Sequence, residues 1–111
     1  MTRTEVFEMV ESIGLPCAFY QFNDNTPQKP PFVVWFFSSD DDFVADNENY
    51  TNIEVLNIEL YTYNKDFELD AVVEQVLKEN GFVWSKESSF IESEKIWQTA
   101  YESEVIINGE E

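Results

Sequence analysis

The stretch NIEVLNIELYTYNKDFELDAVVEQVLKEN, residues 52 to 80, decides the fold. Leu56, Ile58 and Leu60 alternate with Asn57, Glu59 and Tyr61. Successive strand residues point to opposite sides, so this pattern predicts a strand from Asn52 to Tyr63 with one face on a core. Asn64, Lys65 and Asp66 break the alternation. The Asp66 carboxylate suits the free amides and positive dipole end of a helix start, which predicts a helix from Asp66 to Asn80. Leu69, Val72, Val73, Val76 and Leu77 then fall on one stripe, with Glu68, Asp70, Glu74, Gln75 and Lys78 largely off it. Gly81 supplies a left-handed residue after the helix, and Phe82 is placed for the apolar contact of a Schellman end.

Toward the N-terminus, Thr2 and Glu5 have capping-box spacing ahead of Val6, Met9, Val10 and Ile13, with Phe7 widening the stripe. This predicts a first helix to about Ser12 or Ile13, ended by Gly14 and Pro16, with Leu15 packing back. Ala18 to Phe22 is short and aromatic and reads as a strand. Asn23 to Pro31 reads as a loop because its prolines withhold ladder donors. Phe32 to Phe37 is apolar without alternation, which predicts a strand buried on both faces. Ser38 to Asp42 turns out to solvent, and Phe43 to Asn49 reads as a small hairpin arm leading into Tyr50 and the central strand.

Beyond the second helix, Phe82 to Ser85 and Ser89 to Ile91 read as one strand interrupted by the polar Lys86 to Ser88. Glu92 to Lys95 is a polar connection to a long last strand, which sets Trp97, Thr99, Tyr101, Ser103, Val105 and Ile107 against Gln98, Glu102 and Glu104. Asn108 to Glu111 reads as a frayed end.

The order α-β-β-β-α-β-β predicts an α+β fold: an antiparallel-rich sheet of four to five strands with two helices on one face, in a single domain over residues 1–111. Strands about 4.8 Å apart make a four-stranded sheet roughly 19 Å wide, and two helices about 10 Å across cover one side of it. The other side is left carrying aromatic residues, Tyr61 and Tyr63 among them. That marks an interaction surface, unless the Phe43 to Asn49 arm or the proline-rich loop folds over it. The expected contact residues are Phe43, Val44, Tyr50, Tyr61 and Tyr63.

Twenty-three acidic residues against six basic ones give a formal charge of -17. Nucleic-acid binding relies on Lys and Arg, so this balance argues against it and agrees with solubility, or with repelling or imitating DNA. The 10 Phe, 5 Tyr and 3 Trp set the chain apart from disordered acidic tails. Cys17 is the sole cysteine, so no intrachain disulfide forms, and the expected compartment is reducing and intracellular. Met1 to Glu8 has no leader pattern and no apolar run reaches membrane-span length, so neither export nor membrane embedding is expected.

Site chemistry is sparse. Asp40, Asp41 and Asp42, with Asp46 and Glu48, offer oxygen ligands to a hard cation. They lack the glycine and terminal glutamate of an EF-hand, so a solvated loop is the expectation. Cys17, Ser38 and Ser39 have no histidine anywhere in the chain to activate them. Gly14, Gly81 and Gly109 are isolated, so no phosphate-cradling loop is expected. No carboxylate pair is singled out for acid-base work. The expectation is a protein that is not an enzyme, with no cofactor, metal or small-molecule substrate.

Several stretches resemble small structural proteins of tailed bacteriophages and prophages of Gram-positive bacteria: Leu15-Pro16, Ala45-Asp46-Asn47 followed by Tyr50, Leu60-Tyr61-Thr62, Lys65-Asp66-Phe67, Ile91-Glu92-Ser93-Glu94-Lys95 and Ile107-Asn108-Gly109. The resemblance is to the tail terminator, or head-tail joining, family of long-tailed phages. It implies a virion subunit of the tail or neck, assembled in the host cytoplasm. Such subunits form a hexameric ring that caps the tail tube protein and docks it to the head connector proteins, with DNA passing through unbound. Six acidic subunits repel one another, which implies rings that close on the tail partner rather than in dilute low-salt solution. Two other classes fit the acidity: a DNA mimic that inhibits a basic enzyme, and an immunity-type inhibitor that binds one toxin.

Overall fold

A computed structural model describes residues 1–22, 28–39 and 52–108. Its elements are α1 (Arg3–Glu11), β1 (Cys17–Phe19), β2 (Phe32–Ser39), β3 (Asn52–Thr62), α2 (Phe67–Glu79), β4 (Ser85–Ile91) and β5 (Ile96–Ile107). The fold is α+β, with a five-stranded mixed sheet in the order β1-β2-β3-β5-β4. β1 runs parallel to β2, and every other pairing is antiparallel.

Local chemistry sets both helices where the sequence places them. Thr2 and Glu5 form the reciprocal capping box of α1, and Ser12 caps its other end. Asp66 accepts from the Leu69 amide to start α2. The Gly81 and Phe82 amides donate to the Lys78 and Leu77 carbonyls at 3.1 and 3.0 Å, the two bonds of a Schellman end, with Gly81 at φ +83°. Both helices bury their stripes on the same side of the sheet. Val6, Met9 and Val10 of α1 and Val73 and Leu77 of α2 share one core with Val33, Trp35, Leu56, Ile58, Leu60 and Tyr101. Truncating such a residue removes buried methyl groups and leaves a cavity, a loss of about 2–5 kcal/mol for Leu77→Ala.

Five details differ from the sequence expectations, each for a physical reason. The first strand spans Cys17–Phe19 rather than Ala18 to Phe22 because Tyr20 takes φ +71° and the Gln21 amide closes a γ-turn onto the Phe19 carbonyl at 2.9 Å. β2 runs on through Ser38 and Ser39, where a turn is expected, because Val55 and Glu54 of β3 continue the ladder, and it is not buried on both faces. Val33 and Trp35 are buried under α1, whereas Phe32, Val34 and Phe36 are half-buried on the far side. β4 is continuous from Ser85 to Ile91, and Phe82 to Trp84 lie outside it. Lys86 and Ser88 point to the helix side, where Lys86 meets acidic partners and the Ser88 hydroxyl donates to Thr99 Oγ1 at 3.3 Å.

The remaining two differences concern buried charge and the chain end. Asp70 lies inside, only 3% exposed, while Val72 is at the surface. Asn108 is held rather than frayed: its amide donates to the Met1 carbonyl at 2.9 Å and its Oδ1 accepts from the Met1 amino group at 2.6 Å. Among the described residues no helix is long and apolar enough to cross a membrane.

Candidate functional site

Strand register sorts the side chains of the sheet into two faces. On the helix side, Val33, Trp35 and Phe37 align with Leu60, Ile58 and Leu56, which align in turn with Thr99, Tyr101 and Ser103. The opposite face is built row by row: Phe32, Tyr61, Gln98 and Ser89; then Val34, Glu59, Ala100 and Glu87; then Phe36, Asn57, Glu102 and Ser85. Among the described elements no helix covers this face. Its β2 half is aromatic and apolar. Its β5 and β4 half carries Glu87, Glu102 and Glu104, with Glu59 between the halves.

The aromatic half is self-supporting. Phe32 stacks on Tyr61 with ring centroids 4.9 Å apart, Phe22 meets Phe32 edge-on at 5.3 Å, and Tyr20 stacks on Phe36 at 5.8 Å. These contacts explain how an apolar strand stays half-buried without a second layer. The Gln98 side-chain amide donates to the Tyr61 hydroxyl at 2.7 Å, and that hydroxyl donates to the Glu59 carboxylate at 2.9 Å. Burial first, then the bond to Glu59 and the charges of Glu59 and Glu94, push the Tyr61 hydroxyl up to about 12 against the lowering bond from Gln98. Asn57 is buried on this face and donates to the Ser38 hydroxyl at 3.0 Å and to the Val55 carbonyl at 3.2 Å.

Of the expected contact residues, Tyr61 lies on this open face, half-buried beneath Phe32, and Tyr63 lies just past the end of β3, 56% exposed. Phe43, Val44 and Tyr50 lie outside the described residues, as does the Asp40 to Glu48 loop. The sequence expectation missed Val34 and Phe36 as contact residues of the face. Alternation sets Glu102 and Glu104 on this side of β5, and the register places Glu102 between Asn57 and Ser85 and Glu104 beside Val55.

Cations are kept away from this face. No strand residue directed to it is Lys or Arg. Arg3 pairs with Glu54 at 2.7 Å on the helix side, and Lys95 pairs with Glu92 in the β4–β5 turn. Lys65 and Lys86 converge on buried Asp70, with Lys86 also 2.7 Å from Glu74. The Tyr101 hydroxyl donates to Glu74 at 2.8 Å. Glu87, Glu102 and Glu104 have no ion pair among the described residues.

Concavities lie at both flanks of the sheet among the described residues. A groove of about 300 Å³ lies between α1 and the β1–β2 edge, lined by Arg3, Thr4, Phe7, Phe19, Trp35 and Phe37. The Trp35 indole N–H is buried there without an acceptor. A depression of about 450 Å³ lies where β4 begins, lined by Val55, Val83, Trp84, Glu102 and Glu104 among others. The Ser103 hydroxyl donates to the Val83 carbonyl at 2.8 Å and fixes the strand approach that forms its wall. Among the described residues no group of three or more acidic or cysteine side chains is arranged to hold a metal ion. Compared with protein-family models, curated proteins and solved structures, the chain matches none.

Proposed function

We propose that this protein is a structural subunit of a tailed-phage particle, a tail terminator or head-tail joining protein that assembles as a ring between the tail tube and the head connector. The observation that carries the reading is the open face of the sheet. One side of a two-layer α+β subunit is sealed by α1 and α2, and among the described residues the other presents Phe32, Val34, Phe36 and Tyr61 with only their own neighbours for cover. Apolar strands presented this way mark protein-protein contact. The phage resemblance of the sequence supplies the kind of assembly. An excess of carboxylates also suits a wall past which DNA slides without binding.

The test is deletion of the gene from its prophage followed by electron microscopy of induced particles. Tails of uneven length and heads without tails are expected. Uniform tails joined to heads would contradict the reading. A second reading is favoured by the acidic half of the same face: an inhibitor that offers Glu59, Glu87, Glu102 and Glu104 to a basic protein, as a DNA mimic or an immunity-type protein does. Retention of a DNA-binding or toxin protein at low salt, released at high salt, together with intact particles from the deletion strain, distinguishes it.

A further inference from the structure

The depression at the start of β4 has a composition that one kind of side chain satisfies. It is lined by Val55, Val83 and Trp84, the last also packed against the core, together with Ser85, Ser103, Glu102 and Glu104. Val83 stands at its rim 87% exposed, unusually bare for an aliphatic residue. An arginine has an aliphatic stem that packs on such a wall, a planar head that stacks on an indole, and a fork of donors that matches carboxylates. We propose that this depression receives an arginine side chain of a basic protein partner, so that the open face docks a partner of opposite charge rather than a second copy of this chain.

The choice between partner and second copy follows from where the cations lie. Arg3 is the sole arginine of the sequence. It is already bound to Glu54 at 2.7 Å and lies 5.8 Å from the Phe37 ring centre. Lys65 and Lys86 are committed to Asp70 and Glu74, Lys95 to Glu92, and Lys78 lies on α2 across the sheet, which leaves Lys29 ahead of β2. Two open faces brought together would oppose Glu59, Glu87, Glu102 and Glu104 with no Lys or Arg on the facing strands of either copy, and like charges juxtaposed at an interface are costly. The inference rests on the reading of this face as a docking surface of the particle and assigns it to the partner on which the ring sits, so that contacts between ring copies fall to other surfaces.

The test uses the isolated full-length chain and a nine-residue oligoarginine peptide, followed by calorimetry and tryptophan fluorescence at low salt. The double variant Glu102→Gln/Glu104→Gln is compared with Glu8→Gln/Glu11→Gln, which removes the same charge from the exposed side of α1. A loss of about tenfold or more for the first pair against less than about threefold for the second is the expected result, as is weaker binding of a nine-residue oligolysine. Equal losses for both pairs would reduce the binding to general attraction and overturn the proposal. So would concentration-dependent self-association of the unmodified chain in sedimentation that the Glu102→Gln/Glu104→Gln variant abolishes. Unchanged circular dichroism and melting in both variants establish that the fold is intact. Because the peptide measurement needs no phage particle, its failure and failure of the deletion experiment are separately visible.

Discussion

The two faces of one sheet treat charge in opposite ways. On the helix side, Asp70 is taken almost wholly out of water, and the structure answers with Lys65 and Lys86, while Glu74 is held by Lys86 and the Tyr101 hydroxyl. On the open side, Glu87, Glu102 and Glu104 stand on neighbouring strands with no ion pair among the described residues. The difference teaches what each face is for. A buried charge must be matched within the subunit because the penalty of leaving it alone is several kcal/mol. A solvated one is left unmatched at little cost until a partner of opposite charge arrives.

The comparison breaks most severely on the helix side. Replacing both lysines, Lys65→Met with Lys86→Met, strands Asp70 among apolar neighbours and is expected to cost about 3–5 kcal/mol of unfolding free energy in chemical denaturation. Adding Asp70→Asn should recover part of that loss. If the double lysine variant is as stable as the parent, the network does not hold α2 on the sheet. Removing Glu102 and Glu104 together should leave stability unchanged or slightly raised, because repulsion is relieved.

Alkaline titration sharpens the contrast between the two buried hydroxyls. Burial, then the bond to Glu74 and the charges of Asp70 and Glu74, raise the Tyr101 hydroxyl well above its ordinary value of 10.0. Tyr61 on the open face rises only to about 12. The bond to Glu74 leads the causes that raise Lys86 from 10.5, against a smaller lowering by burial. In each case the folded chain holds its proton more tightly than the unfolded chain. The associated stability is therefore complete below pH about 10 and declines as pH rises through the folded values. Tyr101→Phe should cost about 1 kcal/mol at neutral pH by losing the Glu74 bond and should flatten the alkaline decline. Tyr61→Phe should flatten it less. Equal effects in pH-dependent melting would show that the two faces bury their hydroxyls alike.

The smallest effect expected is that of salt. Raising ionic strength from about 0.01 M to 0.15 M shortens the screening length from about 30 Å to about 8 Å. The acidic half of the open face should then repel itself less, and the melting temperature should rise by a few degrees. The rise should shrink in the Glu102→Gln/Glu104→Gln variant. A melting temperature that falls with salt would mean that exposed ion pairs outweigh the unpaired carboxylates.

How much of this was legible in the sequence depended on how local the cause was. The capping box of Thr2 and Glu5, the Asp66 cap and Gly81 are decided within one helical turn, and their residue types state their roles. The alternation of Leu56, Ile58 and Leu60 states the buried side of β3, and among the described residues no helix lies on the other side. Helical periodicity counts hydrophobic side chains and so sets Asp70 off the buried stripe; its burial rests on Lys65, just ahead of the helix, and on Lys86, which arrives from a strand beyond it. The end of β1 was not legible because a left-handed Tyr20 is uncommon for a bulky residue and carries no composition signal. Phe32 to Phe37 was read as doubly buried because periodicity cannot see Phe22, Tyr20 and Tyr61 covering Phe32 and Phe36 from within their own face. The acidic half required the register of β5 against β3 and β4 before its carboxylates became neighbours.

The central claim is that the helix side holds the subunit together and the open side joins it to something else. Val34 lies in the middle of the aromatic half, half-buried, with Glu59 as its register partner on β3. On the phage reading proposed above, the direct test is the variant Val34→Asp, introduced into the particle-producing strain and measured both for melting of the purified chain and for its amount in purified particles. A chain that melts within a few degrees of the parent yet is missing from particles, with heads and tails unjoined, is the expected result. Val34→Asp incorporated like the parent into normal particles would contradict the account.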